Sequence, residues 1–186
     1  MKHQILTRSR RWLAAAVLQF LVVFNVLAVT PPLAIGEVRV ISSGESMKPA
    51  NSMYQKQVTG MPPGQSAAVG VDKSVSRPGY VKFDGVNNAK RELTEVKGFG
   101  YKVDKNGDWS KSYVSRRMQE KVKQQANRQL TAAQGAGMKV KWVVPSEAMK
   151  KAFGSILGSK IPIDVVPPSQ EVEDLLKKIS TASGSF

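Results

Sequence analysis

The sequence contains no cysteine and a single histidine, His3. The missing thiols exclude a disulfide framework, a thiolate nucleophile and a thiolate zinc site, and leave the redox compartment undetermined. With no histidine after position 3, a Ser-His-Asp triad, a histidine-based nuclease centre and an ordinary zinc site are excluded as well. Acids are also scarce: 14 Asp and Glu stand against 28 Lys and Arg, a net charge of +14 over 186 residues. Any catalysis must therefore rest on a few carboxylates, on lysine and on a hard cation. The charge favours anionic partners such as nucleic acid, an anionic lipid surface or an acidic protein.

The 41% hydrophobic content is ordinary for a chain that buries one core, and the length has room for one globular domain behind a leader. Lys2, Arg8, Arg10 and Arg11 precede an apolar run from Trp12 to Val29 that only Gln19 and Asn25 interrupt. That is the order of a signal peptide, with Ala28 or Ala34 as cleavage points. The run is also about as long as the shortest membrane-spanning helices, so an uncleaved anchor is the alternative. Residues 1–34 are expected to contact membrane or export machinery, making the protein secreted or membrane-anchored. Taking their four positive charges from +14 leaves +10, so the basic character belongs to the remainder.

From Ile35 to Gly79, Pro49, Pro62, Pro63 and Pro78 allow only short elements. Residues 35–52 read as a linker, with a helical turn or two over Ser52–Val58, and the folded domain is expected over 53–180 with a flexible tail at 181–186. Tyr80–Asp84 and Glu92–Lys97 read as strands joined in a hairpin through Gly85, Asn87 and Asn88. After a polar loop over 102–110, Val114, Met118, Val122, Ala126 and Leu130 recur at helical spacing, ended by Gly135 and Gly137. Lys139–Val144 reads as a strand, Ser146 caps a helix to Leu157, Ile161–Val166 is a short strand, and Ser169 caps a last helix to Ile179. The order predicts an α/β fold, a three-layer sandwich with a mixed central sheet flanked by helices.

Asp84 ends one of these strands, and Glu95 and Lys97 lie two apart on the other, pointing to one face by the period of a strand. Two carboxylates so placed can hold Mg²⁺ or Mn²⁺ through oxygen, with waters completing the ion's shell. A lysine beside them can orient or deprotonate a water and stabilise negative charge on phosphate. The plainer reading is an Asp in a turn followed by a Glu and a Lys on a solvated strand face.

The surrounding residues narrow the choice. Val81-Lys82-Phe83-Asp84-Gly85 followed by Leu93-Thr94-Glu95-Val96-Lys97-Gly98 resembles the PD-(D/E)xK signature of restriction-endonuclease-fold nucleases, and more narrowly the bacterial polymorphic-toxin family called restriction endonuclease fold toxin 5. Tyr54 to Gly60, Gln125 to Gln129 and the strand containing Trp142 resemble further segments of that family, so the likeness covers roughly 53–168. The resemblance implies that Asp84 and Glu95 are metal ligands and Lys97 the catalytic lysine. It implies supporting roles for Gln125 and Gln129, which match the family's helix motif and would line the site or touch phosphate, and an additional acidic ligand for which Glu45 is the nearest candidate. Such toxin domains usually end larger secreted proteins, so the leader leaves the delivery route open.

Arg116, Arg117, Lys121 and Arg128 on the long helix are candidates for phosphate contact, a sequence-independent and salt-sensitive mode of binding. The resemblance makes a metal-dependent DNase toxin of low sequence specificity the first expectation, acting in the cytoplasm of a target cell and countered by a cognate immunity protein. The alternatives are an RNase, a degenerate nuclease kept for interaction, and a non-catalytic basic protein that binds nucleic acid or an anionic membrane.

Overall fold

The computed structural model describes residues 31–44 and 47–183. The apolar run of the leader, Glu45 and residues 184–186 lie outside the described residues. The order of elements is β1 (Val38–Ser42), α1 (Pro49–Thr59), β2 (Gln65–Gly70), β3 (Tyr80–Phe83), β4 (Gly85–Asn87), β5 (Glu92–Val96), α2 (Tyr113–Ala136), β6 (Lys139–Val144), α3 (Glu147–Leu157), β7 (Ile163–Val165) and α4 (Gln170–Ser183). The mixed α/β class is as the element order predicts. No helix among the described residues is long and apolar enough to cross a membrane.

The single mixed central sheet and the hairpin of long strands need correction. Among the described residues there are two sheets, an antiparallel β1-β2-β3 and a mixed β4-β5-β6-β7. β3 pairs with β2, not with β5, and the hairpin partner of β5 is the short β4, with Gly85 opposite Thr94. The chain thus leaves one sheet at Phe83 and enters the other at Gly85, and Asp84 is the residue at the crossing. Gly85 is required there because a Cβ would lie 2.8 Å from the Thr59 methyl group at the end of α1. The remaining pairings, β5 with β6 and β6 with β7, are parallel and carry α2 and α3 as crossovers.

The segment expected as a linker, 35–52, holds β1 and begins α1. Pro49 starts that helix, where a missing N–H costs nothing, and Gly60 ends it in the left-handed conformation. The Ser112 hydroxyl caps α2 by accepting the Ser115 amide at 3.2 Å. Gly137, not Gly135, closes α2 with φ 62°. Its buried stripe is Ser115, Val122, Ala126, Gln129, Ala132 and Ala133, while Val114, expected on the apolar face, is 63% exposed. Ser146 caps α3 as anticipated, accepting from the Met149 amide. α4 continues to Ser183, past both Ile179 and the start of the expected tail.

The core lies between α2, α3 and the two sheets and is filled by Val69, Phe83, Leu93, Trp142, Val144 and Phe153. Phe153 is ringed by Tyr101, Trp109 and Trp142 at centroid distances of 5.0, 5.3 and 5.8 Å in near-perpendicular contacts, the favourable geometry for aromatic quadrupoles. Trp109 also donates to the Ala152 carbonyl at 2.8 Å, so the long loop between β5 and α2 is tied down on α3.

Candidate functional site

β5 is buried on both faces through its middle, because α1 packs against it and Gln125 and Gln129 of α2 close over Glu95, so Glu95 projects into the protein and not into water. Glu95 is 7% exposed and Lys97 4%, which removes the solvated-face reading of this pair. A charge in such a place must be paired and hydrogen-bonded. The Lys97 ammonium donates to Glu95 Oε1 at 2.8 Å and to the side-chain oxygen of Gln125. Gln125 in turn donates to Glu95 Oε1 at 2.8 Å, closing a ring of three side chains.

Gln129, one helical turn further along α2, donates to Glu95 Oε2 at 2.6 Å and accepts from the indole N–H of Trp142 at 2.9 Å. Its amide also reaches the Lys82 carbonyl at 3.3 Å. Both oxygens of Glu95 are therefore oriented by α2, and α2 is oriented by β6 through Trp142. The Lys97 ammonium lies 4.5 Å from the centre of the Trp142 ring, a cation-π contact.

Burial pulls the proton affinity of Lys97 down, but the charge of Glu95, the neighbouring Tyr101, the hydrogen bond to Glu95 and the charge of Asp84 outweigh it. The ammonium is held above the ordinary lysine value. Burial pushes the Tyr101 phenol up, against the opposing charge of Lys97.

Asp84 reaches the same place from the crossing between the sheets. Its Oδ2 accepts the Val96 amide at 2.7 Å, which ties the crossing to the middle of the Glu95-Val96-Lys97 segment. Asp84, Glu95, Lys97 and Gln125 line one cleft of about 580 Å³, whose walls include Tyr101 and Lys121. On its other side Asp84 lines a smaller polar cavity of about 340 Å³ with Gln55 and Ser66.

Of the residues predicted from sequence, the structure brings Asp84, Glu95, Lys97, Gln125 and Lys121 to this cleft. Gln129 has no exposed surface, so it does not touch phosphate; it supports Glu95 from behind. Arg128 lines an adjoining cavity that shares Gln125 with the cleft. Arg116 and Arg117 are exposed on α2 but line neither. Glu45 lies outside the described residues.

Sequence reasoning missed Asn51, Gln55, Tyr101 and the contact of Trp142 with Lys97. Asn51 accepts the Phe99 amide at 2.7 Å and donates to the Phe99 carbonyl at 3.4 Å, holding the turn that follows Lys97 as a strand partner would. Gln55 donates to the Asp84 carbonyl at 3.5 Å. Asn51 and Gln55 are one turn apart on α1, so a polar pair at that spacing was the available signal. Tyr101 carried none, because a loop has no period.

Among the described residues no group of three or more His, Cys, Asp or Glu side chains gathers into a metal site. The carboxylates at the cleft are Asp84 and Glu95, an all-oxygen pair. Such a pair suits a hard cation that keeps several waters and takes further oxygens from a phosphate, and does not suit zinc.

The family model for restriction endonuclease fold toxin 5 matches residues 51–147. The matched span runs from Asn51 on α1, through Asp84, Glu95, Lys97 and all of α2, to the start of α3. No curated protein matches the chain.

Proposed function

The chain belongs to the restriction endonuclease fold toxin 5 family, and from that premise we propose that it is a divalent-metal-dependent deoxyribonuclease toxin with Asp84, Glu95 and Lys97 at its reacting centre. Membership implies a nuclease toxin; metal dependence, DNA as substrate and low sequence specificity are our reading. The observation that carries it is the buried Glu95-Lys97 pair opening, together with Asp84, on a cleft with Lys121 in its wall. A buried ion pair adds little to stability once its desolvation is counted, so its presence at a cleft points to chemistry.

Asp84 and Glu95 would hold Mg²⁺ or Mn²⁺, which when bound supplies Lewis-acid polarisation of the scissile phosphate and a more acidic water. Lys97, kept protonated beside Glu95, acts as a cation that orients the attacking water and steadies the negative charge developing on phosphate. Gln125 holds the Lys97 ammonium on the side of the cleft, and Gln129 fixes the rotamer of Glu95. Lys121 and Arg128 neutralise phosphates on either side, with no base-specific contact needed. A toxin of this kind requires a cognate immunity protein in its producer. Export by the leader and action in the cytoplasm of a target cell complete the proposal.

The test incubates the protein with supercoiled plasmid and Mg²⁺, beside a chelated control and an Asp84→Ala variant. Nicking or degradation that vanishes in both controls is the expected result. Nicking that survives chelation or the substitution overturns the mechanism. An intact plasmid in every lane, repeated with Mn²⁺ and with RNA, leaves the basic-protein reading, in which nucleic acid is bound in a salt-sensitive way and not cut.

A further inference from the structure

Beside the cleft is a cavity of about 340 Å³ lined by Ser76, Pro78, Tyr80, Lys82, Gln125 and Arg128. Gln125 lines both spaces, so it is the partition between this cavity and the Asp84-Glu95-Lys97 site. The volume is at the small end of ligand pockets and has room for one nucleotide.

Its lining combines an aromatic ring with a guanidinium. Tyr80 is only partly buried, and its hydroxyl has no hydrogen-bond partner among the described residues. Arg128 is exposed and forms no ion pair among the described residues, whereas Lys82 is already committed to the Ser43 carbonyl at 2.9 Å. An aromatic face offers stacking to any base, and a guanidinium offers a planar fork to phosphate. Arg128 follows Gln125 by one turn of α2 and Lys121 precedes it by one turn, so all three project along one side of the helix. Lys121 and Arg128 are separated by about 10.5 Å of helix rise, with the reacting centre opposite Gln125 between them.

We infer that this cavity is a subsite for one nucleotide of the strand being cut, with its base against Tyr80 and its phosphate on Arg128. The neighbouring phosphate then crosses Gln125 into the cleft. The inference rests on the nuclease reading and extends it to the form of the substrate. A base that enters the cavity has left its stack, so the subsite takes single-stranded or frayed nucleic acid and not a closed base pair.

Binding is measured by fluorescence anisotropy on the full-length protein in EDTA, so that nothing is cut. The probes are a labelled short oligothymidylate and an abasic oligodeoxyribose phosphate of the same length. The native protein is expected to prefer the oligothymidylate about tenfold, the scale of one stacked base. Tyr80→Leu abolishes the preference and leaves abasic binding unchanged, while Tyr80→Phe retains it. Arg128→Ala weakens binding of both probes and lowers the salt dependence, and Arg116→Ala, outside the cavity, leaves the base preference intact. No base preference in the native protein, or a preference that survives Tyr80→Leu, overturns the inference. Cleavage of circular single-stranded DNA with Mg²⁺ in the same preparations separates the two claims. Cleavage without base preference keeps the nuclease and removes the subsite, whereas base preference that depends on Tyr80 without cleavage keeps the strand-binding cavity and removes the nuclease.

Discussion

Glu95 accepts hydrogen bonds from three side chains, and each donor has a second engagement. Gln129 is the member furthest from solvent, joining Glu95 Oε2 to the Trp142 indole. Gln129→Leu has nearly the right volume but leaves the Trp142 N–H without its acceptor and Glu95 Oε2 without its side-chain donor. The expected cost is about 2 kcal/mol in urea unfolding, because a buried polar group stripped of its partner carries its full desolvation penalty. A loss within experimental error would show that the network relaxes without it. Glu95 and Lys97 were legible as a pair on one strand face, since that follows from the period of two. Their burial was not, because burial depends on what covers the strand, and α2 is brought there from 30 or more residues away.

Tyr54 makes stability depend on pH. Its ring is fully buried, its hydroxyl donates to the Val166 carbonyl at 2.6 Å, and burial pushes the phenol well above the ordinary tyrosine value. The folded protein thus keeps a proton that the unfolded chain releases near pH 10. The contribution is complete below about pH 10 and is lost above it at about 1.4 kcal/mol per pH unit until the folded phenol titrates. Tyr54→Phe is expected to cost about 1 kcal/mol at neutral pH. It also makes the decline in urea midpoint above pH 10 shallower than in the native protein, and equal slopes would contradict the assignment.

Elements with their own signals were read well. β6 occupies Lys139–Val144 as its β-branched content indicates, and α3 lies between its Ser146 cap and Gly158. β2 was missed because Gln-Ser-Ala-Ala-Val-Gly has neither alternation nor strong strand formers; it is a strand because β1 and β3 pair with it on both sides. The Lys97-Gly98-Phe99 turn depends on a contact with α1. A Cβ on Gly98 would sit 2.5 Å from Asn51 Oδ1, the atom that accepts the Phe99 amide. Gly98→Ala is expected to break that clamp and shift Lys97, lowering plasmid nicking by about a hundredfold, the scale of a small misplacement of a reacting group. Unchanged nicking would mean that the turn does not position Lys97.

For the molecule as a whole, the folded region begins earlier than composition indicates. The Ala34 amide donates to Glu37 Oε2 at 2.9 Å, the Ala34 carbonyl accepts the Glu37 amide at 3.0 Å, and Gly36 and Glu37 exchange hydrogen bonds with Gly70 on β2. Cutting after Ala34 would remove half of that turn, whereas cutting after Ala28 would spare it. An exported protein is therefore expected to begin upstream of Leu33, read from the intact mass of the mature chain. A mature chain beginning at Ile35 would contradict this.

The sequence limits the available chemistry, because the absence of cysteine and of any histidine after His3 leaves only carboxylate, lysine and a hard cation. It also determined the helices and strands whose periods and caps are local, and the motif that carries the family. Only the tertiary structure decided that Asp84 stands where the chain passes between two sheets, that Gln125 and Gln129 close on Glu95, and that Arg128 faces a separate cavity with Tyr80. Those are contacts between segments distant in the chain, and no local propensity encodes which side of a helix will meet which strand.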